Sequence, residues 1–168
     1  GNPPVIVDET ADIELAGRKI YEGASIDNHI RCFAEKEVFA VGSAYDGLLH
    51  EMQKQGAYLL SSAQTEQLVK IVLQPKKGGG HEVNKKWVGQ DAARILETIG
   101  VKVPDSCRLA ICEVPADHSF VLVEQMMPVL PLVRCQSFEE AMDKALIAEH
   151  GNRHTSSIFS KDVDHMTR

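Results

Sequence analysis

The sequence predicts an α/β fold in which a largely parallel sheet is flanked by helices. Two observations support this class: short apolar runs with strand character alternate with segments of helical periodicity, and capping or turn residues stand between them. The chain has 168 residues, of which 43% are hydrophobic, and this length is enough for one compact core. We therefore expect a single domain over residues 1–168.

The first part of the chain contains two strand–helix pairs. Val5–Val7 has the apolar character of a buried strand, and the apolar spacing after it predicts a helix over 11–23 with Thr10 as its N-cap. Glu37–Val41 is the next predicted strand, and the helix that follows it ends at Gly56, a residue typical of a helix C-terminus.

Two later helices are indicated by capping boxes, in which a serine and a residue three positions on satisfy free backbone amides at a helix start. Ser61 with Gln64, and Ser137 with Glu140, have this spacing. They predict helices over 62–73 and 138–149.

A run of glycines, Gly78–Gly80, interrupts the pattern and predicts a long exposed loop over 74–88. The run lacks the spacing of a phosphate-binding or dinucleotide-binding loop. The remaining predicted elements are a strand over 57–60, a helix over 90–99, and strands over 108–112, 130–135 and 155–160.

Charge and hydropathy exclude some classes of function. A net charge of -6 argues against a nucleic-acid surface, which needs a concentrated basic face. No apolar run approaches the roughly 20 residues of a membrane span, and the opening Gly1–Pro4 lacks the features of a signal peptide. We expect a cytoplasmic protein that binds neither nucleic acid nor membrane.

Metal and disulfide chemistry have little support. His150 and His154 are separated by Gly151 and cannot share a helical face, so no metal site is predicted. The 4 cysteines form no Cys-x-x-Cys pair, which favours reduced thiols. Three of them lie in apolar, strand-like surroundings and are expected to be inert core residues: Cys107, Cys112 and Cys135.

Cys32 differs from these because it follows a polar segment without periodicity and precedes a predicted strand. A thiol held in a loop and backed by a strand has a geometry that suits a nucleophile, although a small buried hydrophobe remains an alternative. His29 and Arg31 are near in sequence and could favour the thiolate, but the spacing does not show that they face the sulfur.

Four blocks of the sequence, in order, resemble the CoA-acylating aldehyde dehydrogenases, the propionaldehyde and acetaldehyde enzymes of bacterial microcompartments. The blocks are GNPPVIVDETADIELAGRKIYEGASIDNHIRCFAEKEVFAV, NKKWVGQDAARI, EQMMPVLPLVR and AEHGNRHTSSIFSKDVDHMTR. Together they extend over nearly the whole chain.

The resemblance implies a role for two residues. Cys32 would attack the aldehyde carbonyl, its own backbone N–H would stabilise the resulting oxyanion, and hydride transfer to NAD would leave an acyl thioester for the thiol of coenzyme A. Glu124 corresponds to the glutamate that binds the nicotinamide ribose hydroxyls. Met126 and Met127 replace the phenylalanine and glycine of the hydrolytic enzymes, so the cofactor contact here is expected to differ.

The resemblance also suggests the setting of the reaction. The substrate would be a short aldehyde such as propanal or acetaldehyde, with Arg31 and Phe33 as candidates for the substrate pocket because they adjoin the nucleophile. The full-length protein would be a homo-oligomer that works inside a microcompartment shell. Residues 1–168 would be a catalytic domain whose Rossmann NAD-binding domain and C-terminal segment lie outside this chain, so we expect the chain alone to be inactive.

Two other functions are open from the sequence. The chain could be an oligomerisation or assembly module with no activity of its own. It could also be a cysteine hydrolase in which a histidine such as His154 acts as base towards Cys32, although no motif supports this pairing.

Overall fold

A six-stranded sheet forms the centre of the computed structural model, which describes all of residues 1–168. The eight strands of the chain are β1 (Pro4–Val7), β2 (Glu37–Val41), β3 (Tyr58–Leu60), β4 (Leu73–Pro75), β5 (His81–Val83), β6 (Ala110–Glu113), β7 (Val129–Cys135) and β8 (Ser157–Phe159). The large sheet has the order β3-β6-β7-β2-β1-β8, and every pairing in it is parallel. The predicted fold class is confirmed.

Helices cover both faces of this sheet. They are α1 (Ile13–Ser25), α2 (Gly42–Lys54), α3 (Ser62–Val72), α4 (Ala92–Glu97), α5 (Ser119–Leu122), α6 (Phe138–Ala148) and α7 (Val163–Met166). None of them has the length and apolar character that crossing a bilayer requires.

The core has two layers because the sheet is buried on both sides. In β2, Phe39 belongs to the layer that contains residues of α3, α4 and α6, whereas its neighbours Val38 and Ala40 belong to the layer of α1 and α2. Successive strand residues point to opposite faces, so a strand between two helical layers must be apolar throughout. This explains why Val38–Val41, the part of β2 after Glu37, appears in the sequence as a continuous apolar run.

The start of the first helix differs from the prediction. α1 begins at Ile13, and its N-cap is Asp12, whose carboxylate accepts the N–H of Leu15 at 3.1 Å. Thr10 is not the cap, because its hydroxyl donates to Asp8 at 2.7 Å. A carboxylate directly before the helix leaves no need for a second capping residue.

The predicted capping boxes are present to different degrees. Ser61 and Gln64 form both reciprocal hydrogen bonds at the start of α3, as expected. Ser137 accepts the N–H of Glu140 at the start of α6, but the Glu140 carboxylate bonds Gln136 rather than the N-cap backbone.

The long exposed loop predicted over 74–88 is exposed over 74–82 but contains regular structure, and Trp87 within it is buried. β4 and β5 form a separate antiparallel hairpin in which Leu73 pairs with Val83 and Pro75 pairs with His81. Gly78–Gly80 makes the turn, and all three glycines have positive φ, at 99°, 105° and 75°. Strands of three residues are too short for a period-2 pattern to be recognised.

Candidate active site

Loops at the amino ends of β1, β2 and β7 meet at one edge of the sheet. The loop over 26–36 connects α1 to β2 and carries Cys32, and the loop over 123–128 connects α5 to β7 and carries Glu124. Lys36 donates its backbone N–H to Pro3 at 2.9 Å, which joins the end of the first loop to the residues before β1.

Cys32 occupies the tip of a tight turn. The N–H of Ala34 donates to the carbonyl oxygen of Arg31 at 3.1 Å, which leaves Cys32 and Phe33 as the two central residues. The Cys32 side chain is exposed, and its backbone N–H donates to no acceptor in the chain. The thiol is therefore accessible, and the amide of the same residue is not engaged by the chain.

The backbone before this turn has a rare conformation. Asp27, Asn28 and His29 all have positive φ, at 51°, 51° and 67°. Asp, Asn and His tolerate the left-handed region better than other side chains, although each such residue costs roughly 1–2 kcal/mol. Three in succession reverse the chain sharply, and the polar segment without periodicity in the sequence corresponds to this reversal.

His29 anchors the reversed segment in the protein interior. Its ring is 1% exposed, with Nδ1 at 2.6 Å from the carbonyl oxygen of Met127 and Nε2 at 2.6 Å from that of Glu35. Burial and the charge of Lys36 lower the pKa of His29 to about 3, against the effect of the two carbonyls, so the ring is neutral at pH 7. The imidazole thus connects the Cys32 loop to the Glu124 loop.

Asn28 makes a second connection, towards the segment after the hairpin. Its Nδ2 donates to the carbonyl oxygen of Gly89 at 3.1 Å and to Asp91 at 2.8 Å. The N–H of Gly89 donates to Met126 at 3.0 Å. Three segments that are distant in sequence therefore support the turn that presents the thiol.

Glu124 lies at this edge of the sheet with its side chain 23% exposed. One carboxylate oxygen, Oε2, is 3.2 Å from the amino group of Gly1, and the other accepts no hydrogen bond from the chain. In the same loop Met126 has a φ of 50°, whereas Met127, at the position of the glycine in the hydrolytic enzymes, is fully buried. An open carboxylate oxygen is available for a ligand.

Lys36 is a buried lysine at the end of the loop that carries Cys32. Its side chain is 1% exposed, and its Nζ donates to the carbonyl oxygen of His29 at 2.5 Å. Burial lowers the pKa of Lys36 to about 8, opposed by the acidic groups near it, which are Glu124, Glu37, Cys32 and Glu35.

Glu37, the residue after Lys36, is a buried acid. It is fully buried, neither of its carboxylate oxygens has a hydrogen-bond partner, and burial raises its pKa to about 9. The carboxyl is therefore neutral at pH 7.

The other predicted site residues flank the turn. Phe33 adjoins Cys32 with 54% of its surface exposed. Arg31 forms an ion pair of 2.9 Å with Asp27, so its guanidinium is engaged on its own loop. Neither residue is placed against a substrate by these contacts, and their role in a pocket stays a prediction.

The remaining thiols are unsuited to catalysis. Cys107, Cys112 and Cys135 are buried, as expected, and burial raises the pKa of Cys112 to about 12 and that of Cys135 to about 11. No hydrogen bond joins His154 to Cys32; its Nδ1 lies 2.7 Å from the hydroxyl of Thr155. The contacts of a cysteine hydrolase dyad are thus absent.

One group of metal-type ligands occurs elsewhere, and sequence spacing could not have revealed it. The ligand atoms of Asp8, Glu9 and His165 lie within 4.8 Å of one another. The buried Asp8 carboxylate is already engaged by Thr10, Ser160 and His165. These contacts account for the cluster as an internal hydrogen-bond network.

Two residues of the site were missed by reasoning from the sequence: His29 as an anchor and Lys36 as a buried cation. The only local signal for Lys36 is the charged run Glu35–Glu37 next to the apolar residues of β2. Charged residues at the start of a strand are ordinarily exposed to water, so the run does not by itself predict a buried lysine.

Comparison with known proteins gives consistent matches over the whole chain. An acetylating acetaldehyde dehydrogenase of Bilophila wadsworthia (strain 3_1_6) is 48% identical, and the match covers 100% of this chain and 36% of the relative. The chain therefore spans about a third of the length of the curated relatives it matches. No family model matches it.

Solved structures of related enzymes have the same fold as this chain. A Rhodopseudomonas palustris propionaldehyde dehydrogenase with bound propionyl-CoA has a TM-score of 0.93 and 45% identity, and the match covers 99% of this chain and 36% of that one. An engineered glycolyl-CoA reductase with bound NADP+ has a TM-score of 0.93 and 46% identity, covering 99% and 37%.

A third structure indicates a cellular context for one relative. It is a propionaldehyde dehydrogenase from the fucose utilisation microcompartment of Clostridium phytofermentans, with a TM-score of 0.92, 43% identity, and coverage of 99% of this chain and 38% of that one. The 168 residues are therefore homologous, over their whole length, to a segment of the CoA-acylating aldehyde dehydrogenases.

Proposed function

We propose that the chain is the catalytic domain of a CoA-acylating aldehyde dehydrogenase in which Cys32 carries the acyl group. The observation that carries this proposal is the exposed Cys32 thiol in a tight turn whose backbone N–H has no acceptor in the chain, on a loop that His29 joins to the loop of Glu124. The match to acetylating and propionaldehyde dehydrogenases supports the same chemistry.

Cys32 acts as a nucleophile towards a short aldehyde such as propanal or acetaldehyde. Its sulfur forms a bond to the carbonyl carbon, and the electron pair of the carbonyl moves to oxygen. The backbone N–H of Cys32 is free to donate to that oxyanion, since no group in the chain accepts it. The exposed ring of Phe33 would contact the alkyl group of the substrate, and Arg31 would lie at the rim.

Glu124 fits the ribose of a nicotinamide cofactor, NAD or NADP. Two features of Glu124 fit this role: its side chain is partly exposed, and one of its carboxylate oxygens has no hydrogen-bond partner in the chain. That oxygen can accept a hydrogen bond from a ribose hydroxyl. When bound, the cofactor would accept the hydride lost by the substrate carbon, leaving a thioester on Cys32. The thiolate of coenzyme A would then form a bond to the acyl carbon while the bond from that carbon to the Cys32 sulfur breaks, which releases acyl-CoA and Cys32 as a thiolate.

The proposal extends to the assembly in which the reaction takes place. Because the chain spans about 36% of the matched relative, the dinucleotide-binding domain would come from further polypeptide, and the 168 residues alone would not turn over. A homo-oligomer inside a microcompartment in the cytoplasm is the proposed state of the whole protein, by analogy with the Clostridium phytofermentans relative.

A segment exchange tests this function. The matching segment of the Bilophila wadsworthia relative is replaced by these 168 residues, and NADH formation is followed with propanal, NAD and coenzyme A. We expect CoA-dependent turnover that is lost in the Cys32→Ala chimera. A folded chimera that binds NAD but shows no turnover would contradict the proposal, as would turnover that survives in the Cys32→Ala variant.

A further inference from the structure

Three polar contacts form a closed circuit between segments of the site. The side-chain amide of Asn28 donates to the carbonyl oxygen of Gly89 at 3.1 Å, and the N–H of Gly89 donates to the carbonyl oxygen of Met126 at 3.0 Å. Nδ1 of His29 lies 2.6 Å from the carbonyl oxygen of Met127. Because His29 follows Asn28 and Met127 follows Met126, this third contact closes the circuit. A polar network whose members are all satisfied holds them rigidly.

The circuit joins the two loops that carry the proposed chemistry. Cys32 lies three residues after His29, and Glu124 lies three residues before Met127. Hydride transfer requires the substrate carbon on the sulfur and the nicotinamide ring to meet in a fixed geometry, and a displacement of about 1 Å can cost about a hundredfold in rate. A contact that holds the two loops against each other therefore bears on the rate of the reaction.

The ring of His29 faces two carbonyl oxygens but has one proton to donate. Nδ1 is 2.6 Å from the oxygen of Met127, and Nε2 is 2.6 Å from that of Glu35. A neutral imidazole has an N–H at only one of its nitrogens. A second proton would add a positive charge to a residue whose own carbonyl already accepts the buried ammonium of Lys36 at 2.5 Å. Only one of the two carbonyls is therefore hydrogen-bonded to the ring at a time.

Burial distinguishes the two carbonyls. Met127 is fully buried, whereas Glu35 is only partly buried. Water can hydrogen-bond the carbonyl of Glu35 when the ring does not, but it has no access to that of Met127. The oxygen of Met127 also accepts the N–H of Val129 at 2.7 Å, and its two lone pairs allow both bonds. The ring proton is therefore placed best on Nδ1.

We propose that His29 is a positioning residue that donates from Nδ1 to Met127 and so couples the loop of the nucleophile to the loop of Glu124. The ring exchanges no proton during the reaction and touches neither substrate nor cofactor. The coupling of the loops stands on the hydrogen-bond geometry, whereas its effect on turnover rests on the proposed function.

Two amide substitutions separate the two ring nitrogens. The side-chain nitrogen of asparagine is as many bonds from Cα as Nδ1 of histidine, and that of glutamine is as many as Nε2. His29→Asn can therefore keep the donor towards Met127, whereas His29→Gln keeps the donor towards Glu35. The control is His50→Asn, which replaces an exposed histidine of α2. Circular dichroism establishes that each variant is folded.

The position of the ring proton is measured in the original chain. The imidazole ¹⁵N–¹H correlation spectrum at pH 7 shows which nitrogen carries hydrogen, and we expect Nδ1 of His29. This measurement is independent of the backbone of the variants. It matters because His29 has a φ of 67°, a conformation that asparagine tolerates better than glutamine does.

The coupling is measured at an amide that the ring does not contact. Hydrogen exchange of the Gly89 N–H reports whether the loop of Glu124 stays in place, because this N–H donates to Met126. We expect His29→Gln to speed this exchange about tenfold, His29→Asn to stay within about threefold of the original chain, and His50→Asn to leave it unchanged. In the active chimera, His29→Gln should lower kcat about tenfold while the KM for propanal changes less than about twofold.

Several results would overturn the proposal. Unchanged exchange of the Gly89 N–H in folded His29→Gln would exclude the coupling, and so would a proton on Nε2 or on both nitrogens of His29. Equal acceleration in His29→Gln and His29→Asn would show that loss of the ring, rather than of its Nδ1 proton, is responsible. An active chimera that keeps its kcat in His29→Gln would exclude the positioning role. Failure of the proposed function is recognised separately, as an inactive chimera in which the exchange results hold.

Discussion

Replacing Lys36 by methionine is expected to stabilise the chain. Burial lowers the pKa of Lys36 from 10.5 to about 8, so confining the charged form costs the folded state about 3 kcal/mol at pH 7, at about 1.4 kcal/mol for each pKa unit. The substitution also loses the hydrogen bond to His29, worth about 1.5–3 kcal/mol because one partner is charged. A methionine of similar length fills the same space, and we expect a net gain of about 1 kcal/mol.

The pH dependence of this gain has a defined sign. Below pH 8 both the folded and the unfolded chain hold the Lys36 proton, and the penalty is constant. Between pH 8 and 10.5 the folded chain releases the proton while the unfolded chain keeps it, so the original chain gains stability as the pH rises. The advantage of Lys36→Met should therefore shrink over this range.

Urea unfolding at pH 7 and pH 9.5 measures both effects. Lys77→Met is the control, because Lys77 is exposed and forms no ion pair or side-chain hydrogen bond, and such a surface lysine contributes within about 0.5 kcal/mol. A loss of more than about 1 kcal/mol in Lys36→Met at pH 7 would refute the reasoning, and so would a difference that does not change with pH.

Three further predictions concern the surroundings of the thiol and the end of the sheet. In the active chimera, Glu124→Gln should raise the KM for NAD about tenfold, since it weakens the charge-assisted hydrogen bond from the cofactor ribose, and it should change the KM for the aldehyde little. Steady-state kinetics measure both constants, and equal changes in the two would contradict this prediction. His29→Ala should lower the free energy of unfolding by about 2–4 kcal/mol in urea titrations, because it opens a cavity at a buried ring and removes the one hydrogen bond that the neutral imidazole can donate to a carbonyl oxygen. A loss under about 1 kcal/mol would count against its anchoring role. The hydrogen bond to Asp8 raises the pKa of His165, so the stabilisation from this pair is complete below about pH 6.5 and is lost as the pH rises through the folded pKa. His165→Gln should therefore make the free energy of unfolding less dependent on pH in this range. An unchanged pH dependence in His165→Gln would exclude the pair as its source.

The secondary structure that the sequence predicts well is the part that local signals determine. Ser61 and Gln64 interact across three residues, and the capping box they predict is formed. β2 is buried between two helical layers, and the apolar run Val38–Val41 within it predicts it correctly. In both places the physical cause lies within a few residues of the chain.

The parts that were missed depend on partners distant in sequence. His29 is anchored by Met127, 98 residues away, and its ring gives no local sign of that contact. Lys36 precedes a strand, where a charged residue is normally solvated, and only the folded loops enclose it. The resemblance to known enzymes could indicate Cys32, but the burial of Lys36 on the same loop emerges only from the three-dimensional arrangement.

Acyl transfer to the thiol tests the central claim most directly. The active chimera is incubated with propionyl-CoA and digested, and each cysteine-containing peptide of the exchanged segment is examined by mass spectrometry for a hydroxylamine-sensitive propionyl group. We expect the adduct on Cys32, absent from the Cys32→Ala variant, with Cys107, Cys112 and Cys135 unmodified because they are buried. A propionyl group on another residue while Cys32 stays free would contradict the assignment of Cys32 as the acyl-carrying nucleophile.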